Sequence, residues 1–469
     1  MFRLLGLLPP YAFSFNVLLT LCQGEYSAVE AGLETLSDAN LVTAGREPNR
    51  FHVHDLMRAF ARERLLEEES EEEVRDLTRL LIAFYLVFSR EADKVLFDSS
   101  QASLFTSPIQ ATDWLEAEHA ALVHIIGLAY NEKLYAHALG CAWNIERFLE
   151  RRLHGSSWKR ISNLSLKAAR DYGERKSLLH ALISAVRCAI KFPSSDLSII
   201  ALLDEARDLA SELGSLSHKA QVTYELGRAA ARSGARNRSD AEQLFRNAAE
   251  MARKSKSHHV EGNALSELGD ILARNGALEE AEEVFRRARF LYHARRDRHC
   301  TGNAWKDIGR IRQKVGDFAG AAHFYRLALQ CYQYVHDVHC AGMSLLDLAE
   351  AYGGMGDEAK EREVCREAVT FFTSLKDDDC LSEALGHLAQ LDVAAGDYNS
   401  AIDRHSQVAA LLESGSRRRY VRQLKILAET VQLARGEEEA EAYWARAITA
   451  SQGVPALEQE VQRRGAPAA

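Results

Sequence analysis

Two histidines and an aspartate stand together in "RFHVHDLMRAFARERL" (residues 50–65). Residues of these types could bind a metal, share a proton, or touch a phosphate at the mouth of a helix. On a strand His52 and His54 would share one face, whereas Asp55 would point the other way. A metal would need further ligands, and no metal site is expected. Two readings stay open: Asp55 caps a helix beginning at Leu56, with His54 a partly buried polar residue, or His54 contacts a phosphate. Nothing else in the chain has the spacing of a catalytic centre. There is no G-x-S-x-G, no H-E-x-x-H and no GxxxxGK[ST] loop, so the chain on its own is expected to be no enzyme and to hydrolyse no ATP.

Those residues must be held by something, and composition says what. The chain has 469 residues with only 7 prolines and a surplus of Ala, Leu, Glu and Arg, which favours an all-α protein. A net charge of -9 argues against a general binder of nucleic acid or anionic membrane. The 8 cysteines form no CxxC pair, as expected of reduced thiols in a cytoplasmic protein. Leu4 to Gly24 is uncharged, but Pro9-Pro10 would break a spanning helix and Tyr11, Ser14 and Asn16 interrupt the apolar run. A buried helix, a turn and a second helix fit better than a membrane span or signal peptide.

Downstream the chain repeats. Gly276, Gly316, Gly356, Gly396 and Gly436 stand at 40-residue steps, as do Leu265, Trp305, Leu345 and Leu385. Gly269, Gly309, Ala349 and Ala389 keep the same step. One unit reads as a helix from about Glu261 to Arg274, a glycine in the left-handed C-cap position, and a second helix from about Leu278. In the second helix Leu278, Ala281, Val284, Phe285, Ala288, Leu291 and Tyr292 make an apolar face that a lone hairpin cannot cover, so neighbouring units must cover it. Cys300, Cys340 and Cys380 recur with His299 and His339 before two of them. Equivalent positions in stacked units lie about 8–10 Å apart or more, too far to share one zinc ion. They are read as small buried residues opening each first helix.

Leu265, Leu268, Gly269, Gly276, Ala281, Phe285 and Ala288 resemble the spaced signature of tetratricopeptide repeats, and Gly309, Phe318, Ala321, Tyr325 and Ala328 resemble it again. The next unit departs, with Glu361 and Cys365 where Ala and an aromatic are usual. Gly227, Gly234, Ala241, Phe245 and Ala248 give a looser copy upstream, and Leu178 to Leu213 a degenerate one. The resemblance implies about seven hairpins in a right-handed α-solenoid over residues 153–455, clearest over 217–452, with a flexible tail at 456–469. It also implies that first helices line a groove for a protein or peptide. That places Gln221, Tyr224, Arg228 and Arg232, then Asn263, Ser266, Asp270 and Arg274, then Asn303, Lys306, Arg310 and Lys314 on the groove. The face so drawn is locally basic and suits an acidic peptide segment or a terminal carboxylate.

Residues 1–66 read as short helices followed by a strand, turn and strand through "LVTAGREPNRFHV", a small winged-helix domain. The acidic run at 67–73 and a helical connector to residue 152 follow. Winged helix, "HVHDLMRAFARERL", "WLEAEHAALV" and tetratricopeptide repeats, in that order, resemble the C-terminal half of bacterial STAND regulators of the NB-ARC kind, the antibiotic-regulatory proteins included. Val53-His54-Asp55 falls where that family has a Met-His-Asp motif, with Val for Met. The resemblance implies that His54 would sense the β-phosphate of bound ADP, given an ATPase core in cis or trans; the chain itself is expected to hold no cofactor. A start at Met1, at the first winged-helix segment, leads to the expectation of a truncated product or a late start codon. The expected function is the sensor and regulatory arm of a signalling or transcriptional regulator. The alternative is a stand-alone DNA-binding regulator. Against it, Glu30, Glu34 and Asp38 make an acidic stripe on the candidate recognition helix, and Arg46 and Arg50 alone cannot offset it.

Overall fold

The computed structural model describes residues 1–45, 49–98, 104–152, 154–193, 198–232, 238–335, 337–375, 377–413 and 415–462. Arg46, Gly234 and the end of the expected tail lie outside them. The chain divides into two units, Met1–Leu268 and Gly269–Ala469.

Pro9-Pro10 ends an opening 3-10 helix, Phe2–Leu7, and the chain enters a two-residue strand β1 (Phe13–Ser14). Helices α1 (Phe15–Cys22) and α2 (Tyr26–Asp38) follow, then strands β2 (Thr43–Ala44) and β3 (Arg50–His52) and helix α3 (Asp55–Glu68). The three strands pair antiparallel in the order β1-β3-β2, with Phe13 opposite Phe51. The β2/β3 hairpin is the one expected; β1 is an addition, because two residues carry no alternation to read. Helix α3 begins at Asp55 and is capped by His54, whose side chain accepts the Leu56 N–H; this corrects the assignment of the cap to Asp55.

The acidic run opens α4 (Glu71–Asp93). Ser70 and Glu73 form a capping box, and Glu71, Glu72 and Glu73 sit in the first turn, where the helix dipole favours negative charge. Helices α5 (Pro108–Asn131), α6 (Tyr135–Arg151), α7 (Gly155–Tyr172), α8 (Arg175–Lys191), α9 (Ile199–Glu212), α10 (Leu216–Arg232), α11 (Arg238–Lys254) and α12 (His258–Arg274) complete the series that crosses into the second unit. One buried cluster runs from Leu5 through Leu18, Leu65, Leu81, Ile125 and Ile145 to Leu203, so the stretches expected as separate domains share a core. Arg50 joins them: its guanidinium meets the Glu118 carboxylate at 2.8 Å and the Ala12 carbonyl at 2.8 Å, while the Tyr85 hydroxyl donates to Glu118 at 3.1 Å.

Antiparallel hairpins at steps of about 40 residues begin at Tyr135, inside the expected connector, and continue from Arg175 and Leu216. Their early start was hidden because the α6–α7 and α8–α9 turns have no glycine in the place the later units use.

The second unit continues with α13 (Leu278–Ala294), α14 (Arg298–Lys314), α15 (Phe318–Tyr334), α16 (Val338–Gly354), α17 (Glu358–Leu375), α18 (Asp378–Ala394), α19 (Tyr398–Leu412), α20 (Arg417–Arg435), α21 (Glu437–Ser451) and α22 (Pro455–Gln462). Its turns are built by two residue types. Gly316 closes α14 in the left-handed region (φ 81°), and the next residue, Asp317, caps α15 by accepting the Gly320 N–H at 2.9 Å. Asp297, Asp337 and Asp377 likewise cap the first helices, each accepting the N–H of Cys300, Cys340 or Cys380 at 3.0 Å.

Packing between paired helices is a ring on a small residue. A Cβ added at Gly309 would stand 2.6 Å from the Tyr325 ring, and one at Gly269 would stand 2.6 Å from the Phe285 ring. The departing unit lacks that ring, with Cys365 fully buried near Ala349 in its place, and keeps a second contact: Phe372 lies against Gly342, where a Cβ would come within 2.5 Å of the ring, as Tyr332 lies against Gly302 one unit earlier. The tail is not structureless from residue 456, since α22 buries Leu457 and Val461 against Trp444, Val421 and Leu424 and covers the last hairpin's apolar face.

Gly342→Ala is expected to destabilise the chain by about 1–3 kcal/mol in urea unfolding, because the ring and backbone must separate. Adding Phe372→Leu should lessen the loss; equal loss in both backgrounds would place the strain elsewhere.

Candidate functional site

In the first unit, helices α6, α8 and α10 present a face with a cavity of about 310 Å³. Trp143 stacks on His180 at its wall (ring centroids 4.4 Å apart, planes 8° apart), and Lys176, His218 and Gln221 also line it. Trp143 Nε1 and His218 Nδ1 are buried without a hydrogen-bond partner within the protein.

Beside the cavity runs a network of ion pairs. Arg187 meets Glu146 at 3.2 Å and also pairs with Glu150, and Arg228 meets Glu225 at 3.0 Å and Glu267 at 3.9 Å. Burial would lower the Arg187 pKa, yet Glu146 and Glu150 outweigh it and hold it raised. Burial pushes the Glu225 carboxyl up against the pull of Arg228 and Arg187. Arg228, expected as a groove cation, therefore spends its charge within the fold. Arg232 is exposed at the end of α10, and Asn263 is half-buried with its amide 3.3 Å from His259 Nε2.

The second unit places Asn303, Lys306, Arg310 and Lys314 on α14, as read. Carboxylates stand among them: Arg310 donates to Asp270 at 2.9 Å and to Asp307 at 2.6 Å. Lys314 donates to the Ala273 carbonyl at 3.3 Å, and Asn303 accepts the Tyr332 hydroxyl at 2.6 Å. Arg274 is exposed at the end of α12. The face expected to be basic is a mixed one, since stacking brings in acids from neighbouring helices. Burial pushes Asp307 up to about 7 although Arg310 opposes it, and burial pushes Asp347 on α16 up to about 6 against Lys306.

His54 lies exposed at the N-cap of α3, its Nδ1 accepting the Leu56 N–H at 3.4 Å, and Asp55 pairs with Arg58. His52 is exposed on β3. Cys380 is buried at the opening of its helix as expected, whereas Cys300 and Cys340 are half-buried. Sequence reasoning missed the Arg50–Glu118–Tyr85 junction and the Glu146–Arg187 pair, whose members are 33 to 68 residues apart.

Residues 261–333 match the tetratricopeptide-repeat family model. No curated protein matches the sequence. Among solved structures, the chain is similar to a signal transduction ATPase with numerous domains (STAND) that has a tetratricopeptide repeat sensor, from Pyrococcus horikoshii: TM-score 0.59, 14% identity, 98% of this chain and 63% of that one. The chain thus spans less than two thirds of that protein's length. The apo form of RapI is similar over 70% of this chain and 98% of its own, with a TM-score of 0.53 and 10% identity. These likenesses and the structure define an all-α helical repeat solenoid of the tetratricopeptide kind. No helix among the described residues is long and apolar enough to cross a membrane.

The raised Asp307 pKa has a sign that can be tested. The folded chain keeps a proton up to about pH 7 that an ordinary aspartate releases near 3.8. The stability this contributes is fully present below the unfolded value and is lost as pH rises through about 7. Asp307→Asn should therefore gain in melting temperature over the unchanged chain as pH goes from 4 to 8. A difference independent of pH would overturn the reading.

Proposed function

We propose that this chain is a protein- or peptide-binding scaffold that serves as the sensor and regulatory arm of a STAND-type regulator. The observation that carries the proposal is the likeness over 98% of the chain to a STAND protein with a tetratricopeptide repeat sensor. Supporting it, residues 1–66 have the order of a winged helix, and Arg50 ties that segment to α4 and α5 through Tyr85 and Glu118. The repeats of the first unit share a core with that segment. His54, exposed at the head of α3, is free of the core and could meet a nucleotide phosphate if an ATPase core stood beside it.

The ligand is a peptide with acidic residues, held by the cations that end two first helices within the second unit, Arg274 and Lys314, both exposed. The rival function, DNA binding through α2, meets Glu30, Glu34 and Asp38, all exposed on that helix and all repelling phosphate.

The test is fluorescence anisotropy with two labelled peptide pools of equal length, one enriched in Asp and Glu and one in Lys and Arg. Salt-sensitive binding of the acidic pool is expected, and Arg274→Glu and Lys314→Glu together should weaken it at least tenfold. Unchanged affinity in the double variant would sink the groove assignment. A gel shift at low salt with random duplex DNA should show no complex, and a stable one would favour the rival.

A further inference from the structure

Stacking brings together side chains that equivalent positions could not. His299, opening α14, reaches the residues that open α16 one unit on: its Nε2 lies 3.1 Å from Asp337 Oδ2 and 3.9 Å from Cys340 Sγ. The next step repeats the arrangement. His339 Nδ1 lies 3.0 Å from Asp377 Oδ2 and 3.9 Å from Cys380 Sγ. In both sets the three donor atoms lie within 4.8 Å of one another. The separation argument made from the sequence holds for cysteine against cysteine; it does not hold for a histidine of one unit against the aspartate and cysteine of the next.

We propose that His299–Asp337–Cys340 and His339–Asp377–Cys380 are two binding sites for a zinc-class divalent ion, each bridging consecutive repeats. Imidazole, carboxylate and thiolate are the ordinary donors of such an ion, at about 2.0–2.3 Å. Tetrahedral ligation at those lengths sets donor atoms roughly 3.3–3.6 Å apart. The histidine's spacings to its two partners, 3.0–3.1 Å and 3.9 Å, bracket that range, and the carboxylate and sulfur lie within 4.8 Å of each other, so the side chains must draw together around the ion.

The surroundings suit ligands. Each aspartate is oriented by the cysteine N–H that it accepts at 3.0 Å, which leaves its other oxygen toward the histidine. Burial would raise the Asp377 pKa, yet the Cys380 N–H and His339 hold it lowered, so this carboxyl is anionic at neutral pH. The second ring nitrogen of His299 is 3.5 Å from Asn303 Nδ2, a donor, so an ion on Nε2 requires the Asn303 amide to turn and present its oxygen to that ring N–H. In the other site the Met343 sulfur lies 3.8 Å from Cys380 Sγ and adds a soft neighbour. Burial pushes the Cys380 thiol up to about 12, so the ion must displace its proton to solvent. A third cluster, Glu116, His119 and His154, lacks these qualities. Arg152 pairs with Glu116 at 3.2 Å, and the two imidazoles stack 4.4 Å apart with planes 18° apart, so their lone pairs do not converge.

The test uses the full, untagged chain, stripped of metal with a chelator and titrated with Co2+. A thiolate-to-cobalt charge-transfer band is expected. Cys340→Ala and Cys380→Ala should each remove one thiolate-bound cobalt, and Cys22→Ala should remove none. Asn caps a helix as well as Asp does, so Asp337→Asn and Asp377→Asn should keep the fold and weaken cobalt binding at least tenfold at the altered site. Zn2+ should raise the melting temperature of the stripped chain and do so less in the double cysteine variant. No charge-transfer band at micromolar cobalt, or the same band in the double cysteine variant, would reduce these clusters to hydrogen-bonded helix caps.

Discussion

The structure depends on a ring laid against a small residue. Tyr325 on Gly309 and Phe285 on Gly269 bring two helices close enough to form a hairpin, and each buried ring contributes about 1.5–3 kcal/mol of transfer free energy. The other side of each second helix stays apolar and is covered by the next unit. One unit lacks that ring, with Cys365 in its place, and retains the second contact, Phe372 against Gly342, the counterpart of Tyr332 against Gly302.

Ion pairs also join consecutive repeats. Arg187 on α8 meets Glu146 and Glu150 on α6, and Arg310 on α14 meets Asp270 on α12, each across neighbouring first helices. Removing charges from water is expensive, and mutual attraction offsets that only with good geometry. Such pairs fix the relative position of two helices better than a greasy contact does. They also consume charge that a linear reading assigns to a ligand. The arginines in the middle of the helices hold the face together.

The N-terminal segment is joined to the repeats by the same kind of contact. Arg50 leaves its strand, crosses to Glu118 and two carbonyls, and with Tyr85 gives the first unit one continuous core.

The 40-residue step, the glycine that ends a first helix and the aspartate that starts the next were all decided within a few residues, because caps and left-handed turns are chemistry between positions i and i+3. So were the apolar faces that demanded stacking, and with them the all-α repeat fold. Which side chains meet across units was decided only by the stacking. His299 finds Asp337 and Cys340 at separations of 38 and 41 residues, and Arg50 finds Glu118 at 68. The early hairpins from Tyr135 were likewise settled by burial, through Ile145, Phe148 and Leu149, where no turn glycine marked them. Periodicity tells how often a position recurs along the chain. The offset with which one unit packs on the next tells what each recurrence touches, and that offset is set by the shapes of many side chains at once.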